Sequence, residues 1–105
     1  MIMSNNQVFL EFIQKHEVCI VQFGSTSCTP CIALHARLQA QKDLPFLYVD
    51  WDENREFCAQ RNVLTVPTVQ FFMDGKCMIQ QAGYFSLDGF MDRICLMLDM
   101  KKDSI

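Results

Sequence analysis

The sequence of 105 residues has little concentrated positive charge, which excludes one large class of partners. Its 9 Lys and Arg residues are outnumbered by 12 Asp and Glu residues, and the formal net charge is −3. The largest basic cluster is the Lys101-Lys102 pair. Because binding to a phosphate backbone requires a basic patch, we expect no nucleic-acid partner.

Long apolar runs are also lacking. No run approaches the 18 residues that would span a bilayer, so the sequence predicts no membrane partner. Residues 1–6 have neither the basic start nor the apolar segment of a signal peptide. We therefore expect a cytoplasmic protein.

Thiols are usually kept reduced in that compartment, so we expect most of the six cysteines to be free rather than part of a disulfide framework.

A second pair of closely spaced metal ligands is missing as well. Structural zinc usually takes four ligands, from two Cys-x-x-Cys pairs or from one such pair and a pair of histidines. Beyond one Cys-x-x-Cys pair, the remaining candidates are isolated in the sequence: Cys58, Cys77, Cys95, His16 and His35. The sequence also lacks the GxGxxG motif of nicotinamide and flavin binding. We expect neither a metal nor a bound cofactor.

The overall amino-acid composition is that of a globular domain. Half of the residues are apolar and 20% are charged, which is typical of a folded rather than a disordered chain. A length of 105 residues lies near the commonest domain size. We therefore expect a single domain over residues 1–105.

Hydrophobic periodicity predicts alternating helices and strands. Four strands are expected at 18–23, 46–50, 69–73 and 76–81, and helices are expected at 4–16, 29–41, from 52 or 54 to 61, and 87–100. Ser4 is a plausible N-cap for the first helix, and Asp74-Gly75 is a strong hairpin signal. The order α-β-α-β-α-β-β-α predicts parallel βαβ connections, then an antiparallel hairpin. This is an α/β fold with a mixed sheet and helices on both faces.

The segment STSCTPC, residues 25–31, places two cysteines where a strand ends and a helix begins. Unpaired N–H groups and the positive end of the helix dipole stabilise a thiolate there, so the pKa of Cys28 should fall below the free value of about 8.5. Cys31 lies one turn deeper and could attack a mixed disulfide at Cys28. Thr29 and Pro30 set the local geometry. Half of a metal site and a purely structural pair are the weaker alternatives.

Taken together, the motifs resemble those of thioredoxins. They are the strand at 18–23, Cys28-Thr29-Pro30-Cys31, Val66-Pro67-Thr68, Asp74-Gly75-Lys76 and Gly83, and the match covers about residues 4–100. The resemblance implies a thioredoxin fold with a central mixed sheet of four to five strands. It also implies dithiol–disulfide exchange, with Cys28 as the nucleophile and Cys31 as the resolving thiol.

The resemblance further implies a substrate groove. It predicts a cis Val66–Pro67 bond beside the sulfur atoms. Val66, Pro67 and Thr68 would flank an extended substrate, and Ala82 and Gly83 would complete the groove. Affinity would come mainly from pairing between the main chains.

Four positions depart from the pattern of the family. Ser27 replaces a Trp, Thr29 replaces a Gly, Ile32 replaces a basic residue, and Gln22 replaces a buried Asp. Gln cannot titrate and so cannot act as a base. Our hypothesis is that Gln22 lowers the pKa of Cys28 and slows resolution by Cys31, relative to an Asp. The alternative is that water or backbone groups take over the role of the Asp in deprotonating Cys31.

The expected activity is reduction of protein disulfides by a monomer. The redox-active Cys28–Cys31 disulfide would be re-reduced by a separate electron donor that resembles thioredoxin reductase. A non-catalytic binding module on the same fold is the alternative from another class. An oxidase or isomerase is a further alternative that differs only in reduction potential.

The remaining cysteines and aromatic residues are expected to have ordinary structural roles. Cys19, Cys58 and Cys95 should be packed as small apolar side chains, and Cys77 is the extra thiol most expected to be exposed. His35 should be solvated on its helix. Trp51 either covers apolar surface near the cysteine pair or packs in the core.

Overall fold

The computed structural model of the chain describes residues 6–103, and within that range it has the element order that the sequence predicts. The proposed N-cap Ser4 lies outside the described residues. The elements are α1 (Asn6–Lys15), β1 (Val18–Gly24), α2 (Thr29–Ala40), β2 (Phe46–Asp50), α3 (Arg55–Gln60), β3 (Thr68–Met73), β4 (Lys76–Ala82) and α4 (Leu87–Asp103).

The four strands form one mixed sheet in the order β2-β1-β3-β4. Strands β1 and β2 are parallel, whereas β3 is antiparallel to β1 and β4 is antiparallel to β3. The prediction of more than one parallel βαβ connection is therefore wrong, because within residues 6–103 only β1-α2-β2 has this form. A parallel crossover usually needs a helix that carries the chain back along the sheet. Helix α3 has only 6 residues, about 9 Å of rise, so β3 starts from the end where β2 stops.

Helices cover both faces of the sheet, as predicted. Strand β1 is buried on both sides and its side chains alternate between two core clusters. The first cluster joins the sheet to α1 and α3 through Phe9, Phe12, Ile13, Phe57 and Cys58. The second joins it to α2 and α4 through Leu38, Leu87, Phe90 and Ile94. In residues 6–103, no helix is long and apolar enough to cross a bilayer.

The strand register brings distant parts of the chain to one edge of the sheet. Thr68, which begins β3, pairs with Phe23 of β1 and with Ala82 of β4. The predicted hairpin follows β3, and its Asp74 and Gly75 have φ values of 53° and 79°. Two positive φ values in succession are what a type I′ turn requires. The segment after β1 therefore lies beside the start of β3 and the end of β4.

Candidate functional site

A disulfide joins Cys28 and Cys31 at the start of α2, with their Cα atoms 5.2 Å apart. Cys28 is the N-cap, and its Sγ accepts a hydrogen bond from the backbone N–H of Cys31 at 3.3 Å. Cys28 is half-buried, whereas Cys31 is only 1% exposed. The two sulfur-bearing residues therefore differ in accessibility, and only the first of them is open to a large partner.

The loop before Cys28 is held by Ser25, which sequence reasoning did not single out. The Ser25 carbonyl accepts a hydrogen bond from the Cys28 N–H at 3.1 Å. Its buried hydroxyl donates to Asp52 Oδ2 at 2.5 Å and accepts from the Ser27 N–H at 3.3 Å. Hydrogen bonds from Ser25 and Arg55 hold the pKa of Asp52 below its ordinary value. This hydrogen bond joins residues 27 positions apart. A contact between such distant positions leaves no periodic pattern in a sequence, so sequence reasoning could not find it.

Two residues lie between the cysteines. Thr29 and Pro30 are the first two residues of α2, where a proline removes no helical hydrogen bond. Thr29 is exposed and Pro30 is half-buried. Pro30 therefore forms part of the surface beside the disulfide.

Gln22 lies in the sheet beneath α2 and is fully buried. Its Nε2 donates a hydrogen bond to the Cys31 carbonyl oxygen at 3.0 Å. Its Oε1 is buried and has no hydrogen-bond partner among residues 6–103. An amide therefore occupies the interior next to the deeper cysteine, and that amide fixes the helix backbone without adding a charge.

The other predicted site residues meet the cysteine loop at the same edge of the sheet. The Val66–Pro67 peptide bond is cis. The Pro67 carbonyl accepts a hydrogen bond from the Gly83 N–H at 2.9 Å, which ties the loop before β3 to the end of β4. Thr68 is buried and its hydroxyl donates to the Thr65 carbonyl at 2.8 Å. Its side chain is thus turned into its own loop and away from the surface.

The two groove residues at the end of β4 are at least partly exposed. Ala82 is exposed and pairs with Thr68, while Gly83 is partly exposed and has a φ of 75°. Val66 is half-buried and packs against the first core cluster. The structure thus brings together the five residues that the resemblance placed around an extended substrate.

Two predictions about individual residues are wrong. His35 is not a solvated residue of the helix face, because its ring stacks on Tyr48 at 4.3 Å and its Nε2 is buried without a partner in the described part of the chain. Strand β2 presents an aromatic surface to this side of α2, and the imidazole covers it.

Cys95 is exposed. It follows the buried Ile94 in α4, and one residue turns a helix by about 100° toward solvent.

The other extra cysteines lie where the sequence placed them. Cys19 and Cys58 are fully buried, and burial raises the pKa of Cys19 to about 12 and that of Cys58 to about 11. Cys77 is exposed as a residue. Its sulfur turns inward toward the Ile79 carbonyl at 3.6 Å, and partial burial raises the pKa of this thiol. None of these three thiols is activated for nucleophilic attack.

Trp51 packs against the first core cluster and anchors the loop after β2. Its backbone N–H donates to the Gly24 carbonyl at 2.8 Å, directly before the cysteine loop. The Arg55 guanidinium lies 4.7 Å from the centre of the indole ring. Of the two roles considered for this residue, core packing is the one for which contacts are observed. Residues 6–103 contain no group of three or more His, Cys, Asp or Glu side chains that could hold a metal.

A redox-type cysteine pair at the start of a helix, on a four-stranded mixed sheet between two helical layers, defines the class of thiol–disulfide proteins with a thioredoxin fold. Residues 1–95 match the family model described as Thioredoxin, and the chain belongs to the thioredoxin family. This membership and the disulfide-forming pair support a thiol–disulfide oxidoreductase activity.

Individual relatives agree with this assignment. A thioredoxin of Mycoplasmoides gallisepticum is 28% identical over 85 residues, covering 77% of this chain and 85% of the relative. A thioredoxin of Oryctolagus cuniculus is 32% identical over 74 residues, covering 67% of each. The structure of a mutant thioredoxin from Halobacterium salinarum NRC-1 superposes with a TM-score of 0.80 at 25% identity, covering 90% of this chain and 86% of that one.

Proposed function

We propose that the chain reduces disulfides in proteins, with Cys28 as the nucleophile and Cys31 as the resolving thiol. The observation that carries this assignment is the difference in exposure, since Cys28 is half-buried and Cys31 is 1% exposed. A protein disulfide can approach only the more accessible sulfur. The buried sulfur can react only with a disulfide already formed at Cys28.

The reaction is a pair of balanced exchanges. The Cys28 thiolate bonds to one sulfur of the substrate, and the other substrate sulfur leaves with the electron pair of the broken bond. The Cys31 thiolate then attacks the Cys28 sulfur, and the second substrate sulfur leaves as a thiolate. The substrate gains two electrons and the protein keeps the Cys28–Cys31 disulfide.

The position of Cys28 favours its thiolate. The Cys31 N–H already points at this sulfur at 3.3 Å, and the helix dipole adds positive potential at the N-cap. These two contributions support a pKa below the free thiol value of about 8.5.

Gln22 affects the two steps of the exchange in opposite directions. Its amide positions the backbone of Cys31 but accepts no proton, so the Cys31 thiol must lose its proton to another acceptor. With an amide rather than a carboxylate at position 22, the Cys28 thiolate also experiences no repulsion from that side chain. We therefore propose a more acidic nucleophile and slower resolution than a carboxylate at this position would give.

The proposed substrate lies along the groove flanked by residues 66–68 and 82–83. Main-chain groups of Val66 and Gly83 would pair with an extended segment of the substrate, in the manner of strand addition. Thr68 would contribute only through its backbone, because its hydroxyl is bonded to Thr65.

The proposed cycle needs no bound cofactor. Two electrons would come from a separate donor protein that resembles thioredoxin reductase. We further propose that residues 1–105 form one domain that acts as a monomer in the cytoplasm.

Two single replacements test the roles of the cysteines. Cys28→Ser should abolish reduction of a protein disulfide, and Cys31→Ser should accumulate a mixed disulfide with the substrate, visible as a mass adduct that thiol reductant removes. If Cys28→Ser retains full function in a binding assay or in the cell, the chain is a docking module rather than an enzyme.

The reduction potential tests the direction of electron flow. The protein is equilibrated in graded thiol–disulfide buffers, trapped by alkylation and analysed by mass. A potential near about −270 mV is expected for a reductase, and one at or above about −180 mV would assign an oxidant or isomerase instead.

A further inference from the structure

An apolar recess adjoins the disulfide on the side of α2 that faces α4. Ala33 and Leu34 of α2 form one wall, and Phe85 and Leu87 form the opposite wall. Pro30 and Pro67 line the end that borders the cysteine pair. The recess is therefore continuous with the surface where a substrate disulfide would be attacked.

The volume of this recess limits what could occupy it. It measures about 240 Å³, which is below the range of about 300–1,000 Å³ for pockets that enclose cofactors or drug-sized ligands. It is also far larger than the volume of about 30 Å³ that one water takes up in the liquid. One large amino-acid side chain suits this space.

Tyr84 stands at the rim with 92% of its surface exposed. The positive φ of Gly83 (75°) sets the chain direction just before it. An aromatic side chain that is almost fully exposed contributes little burial to the free protein. Tyr is among the residues that most often contribute strongly to binding once a partner covers them.

Among the described residues of the lining, one side chain is charged, and it has a partner at the surface. Arg37 closes the far end and its guanidinium forms an ion pair with Asp88 of α4 at 2.9 Å. Tyr84 is the one other titratable residue of the lining. Apart from this exposed ion pair the lining is mainly apolar, so an apolar side chain of a substrate would be removed from water there.

We propose that this recess binds one large apolar side chain of the substrate polypeptide, within two residues of the cysteine under attack. The proposal rests on the proposed function, because it names the sequence preference of that reaction. Two residues of extended chain span about 7 Å, and a recess that shares Pro30 and Pro67 with the cysteine surface lies within such a reach. Selection of substrates then depends on the residues beside their disulfide as well as on access to it.

The test uses short peptides in which one cysteine forms a mixed disulfide with 2-nitro-5-thiobenzoate. The protein is reduced and freed of reductant, and release of the coloured thiolate is followed. Phe or Ser is placed in turn at each of the two positions on either side of the cysteine. We expect the second-order rate constant for this single release to be about tenfold higher for Phe than for Ser at one or more of these positions, the lower end of discrimination by an apolar pocket.

Two matched variants locate the preference. Ala33 and Ala36 are both exposed residues of α2, but only Ala33 lines the recess. Ala33→Phe should fill the recess and bring the Phe-to-Ser ratio close to one, while Ala36→Phe should keep the ratio of the unmodified protein. Far-ultraviolet circular dichroism confirms that both variants are folded.

The outcomes separate the two proposals. Loss of activity toward every peptide, and toward a small aromatic disulfide with no peptide at all, would overturn the proposed function itself. Normal release with equal rates for Phe and Ser peptides at all four positions would overturn only the recess. A preference that survives Ala33→Phe would also overturn it, because the selecting surface would then lie elsewhere.

Discussion

The hydroxyl oxygen of Tyr48 lies 2.8 Å from the point that a Cβ atom on Gly24 would occupy, and Cε2 of the same ring lies 2.9 Å from it. Gly24 ends β1 directly before the cysteine loop, and Tyr48 lies on the neighbouring parallel strand. The ring is buried, so it cannot move aside into solvent. A glycine is required at this position because of the close approach of the ring.

We expect Gly24→Ala to lower the free energy of unfolding by about 1–3 kcal/mol, the usual effect of overpacking a buried site. Gly89→Ala is the control, because its nearest contact would be an ordinary 3.5 Å from Ser86 Oγ. In a helix this change stabilises by about 0.5–1 kcal/mol. Urea unfolding of both variants measures the difference. Equal free energies of unfolding for the two variants would show that the Tyr48 ring can shift at little cost.

Gln22→Asp should change both steps of the exchange. A buried carboxyl group beside Cys31 should raise the pKa of Cys28, and it should speed resolution by accepting the Cys31 proton. The rate of alkylation of Cys28 against pH gives the first quantity, and the lifetime of a mixed disulfide gives the second. Gln70→Asp, a buried glutamine on the other face of the sheet, should alter neither. An unchanged titration and lifetime in Gln22→Asp would contradict the role assigned to the amide.

The pKa of Asp52 should depend on Ser25. The hydrogen bond from Ser25 and the contacts with Arg55 lower this pKa from 3.8. A lowered pKa in the folded state means that the carboxylate stabilises the fold above the unfolded value and loses this effect as pH falls through the folded value. In Ser25→Ala the pKa of Asp52 should move up toward 3.8. Below about pH 4 this variant should therefore lose less stability than the unmodified protein does. Carbon-detected NMR titration of the Asp52 carboxyl group measures the shift.

Ser27→Ala is the matched control for this titration. The Ser27 hydroxyl contacts Ser25 Oγ at 3.0 Å but is not among the causes of the Asp52 shift. The pKa of Asp52 should remain low in this variant. An equal rise in both variants would mean that general loosening of the loop, rather than the direct hydrogen bond, sets the carboxyl pKa.

Alkylation of the reduced native protein should follow the order of thiol activation. Cys28 should react first, and the exposed Cys95 should follow. Cys77 should be slower because its pKa is raised. Cys19 and Cys58 should react only after unfolding, since their pKa values are about 12 and about 11 and both side chains are fully buried. Timed quenching with iodoacetamide and peptide mass mapping give the order; early labelling of Cys58 would indicate local opening of α3.

Much of the fold could be predicted because it leaves periodic signals. The buried run at 18–23 identified the central strand, and the dipeptide Asp74-Gly75 identified the hairpin, since few residues other than these adopt two positive φ values. The direction of β3 could not be predicted. It depends on where the chain emerges after α3, and a helix of 6 residues looks similar in sequence whether or not the chain crosses back over the sheet.

The cysteine pair could be predicted for a similar reason, because its spacing and its place after a strand are both local. The errors and omissions concern side chains whose surroundings come from remote parts of the chain. The burial of His35 depends on Tyr48 from another strand, and the role of Ser25 depends on Asp52. The apolar character of Cys95 predicts burial, but the packed stripe of α4 runs through Phe90, Ile94, Met97 and Leu98, and Cys95 lies to one side of it.

The strand order has a consequence for synthesis of the chain on the ribosome. Cys28 and Cys31 emerge early, whereas β4 and Gly83, which complete the surface around them, emerge after β3 has been made. Domains generally fold as units once their chain is available. A nascent chain therefore carries an exposed dithiol before it has the surface that selects a partner. Under the proposed function, selection among substrates begins only when β4 and the start of α4, with Gly83 and Leu87, are in place.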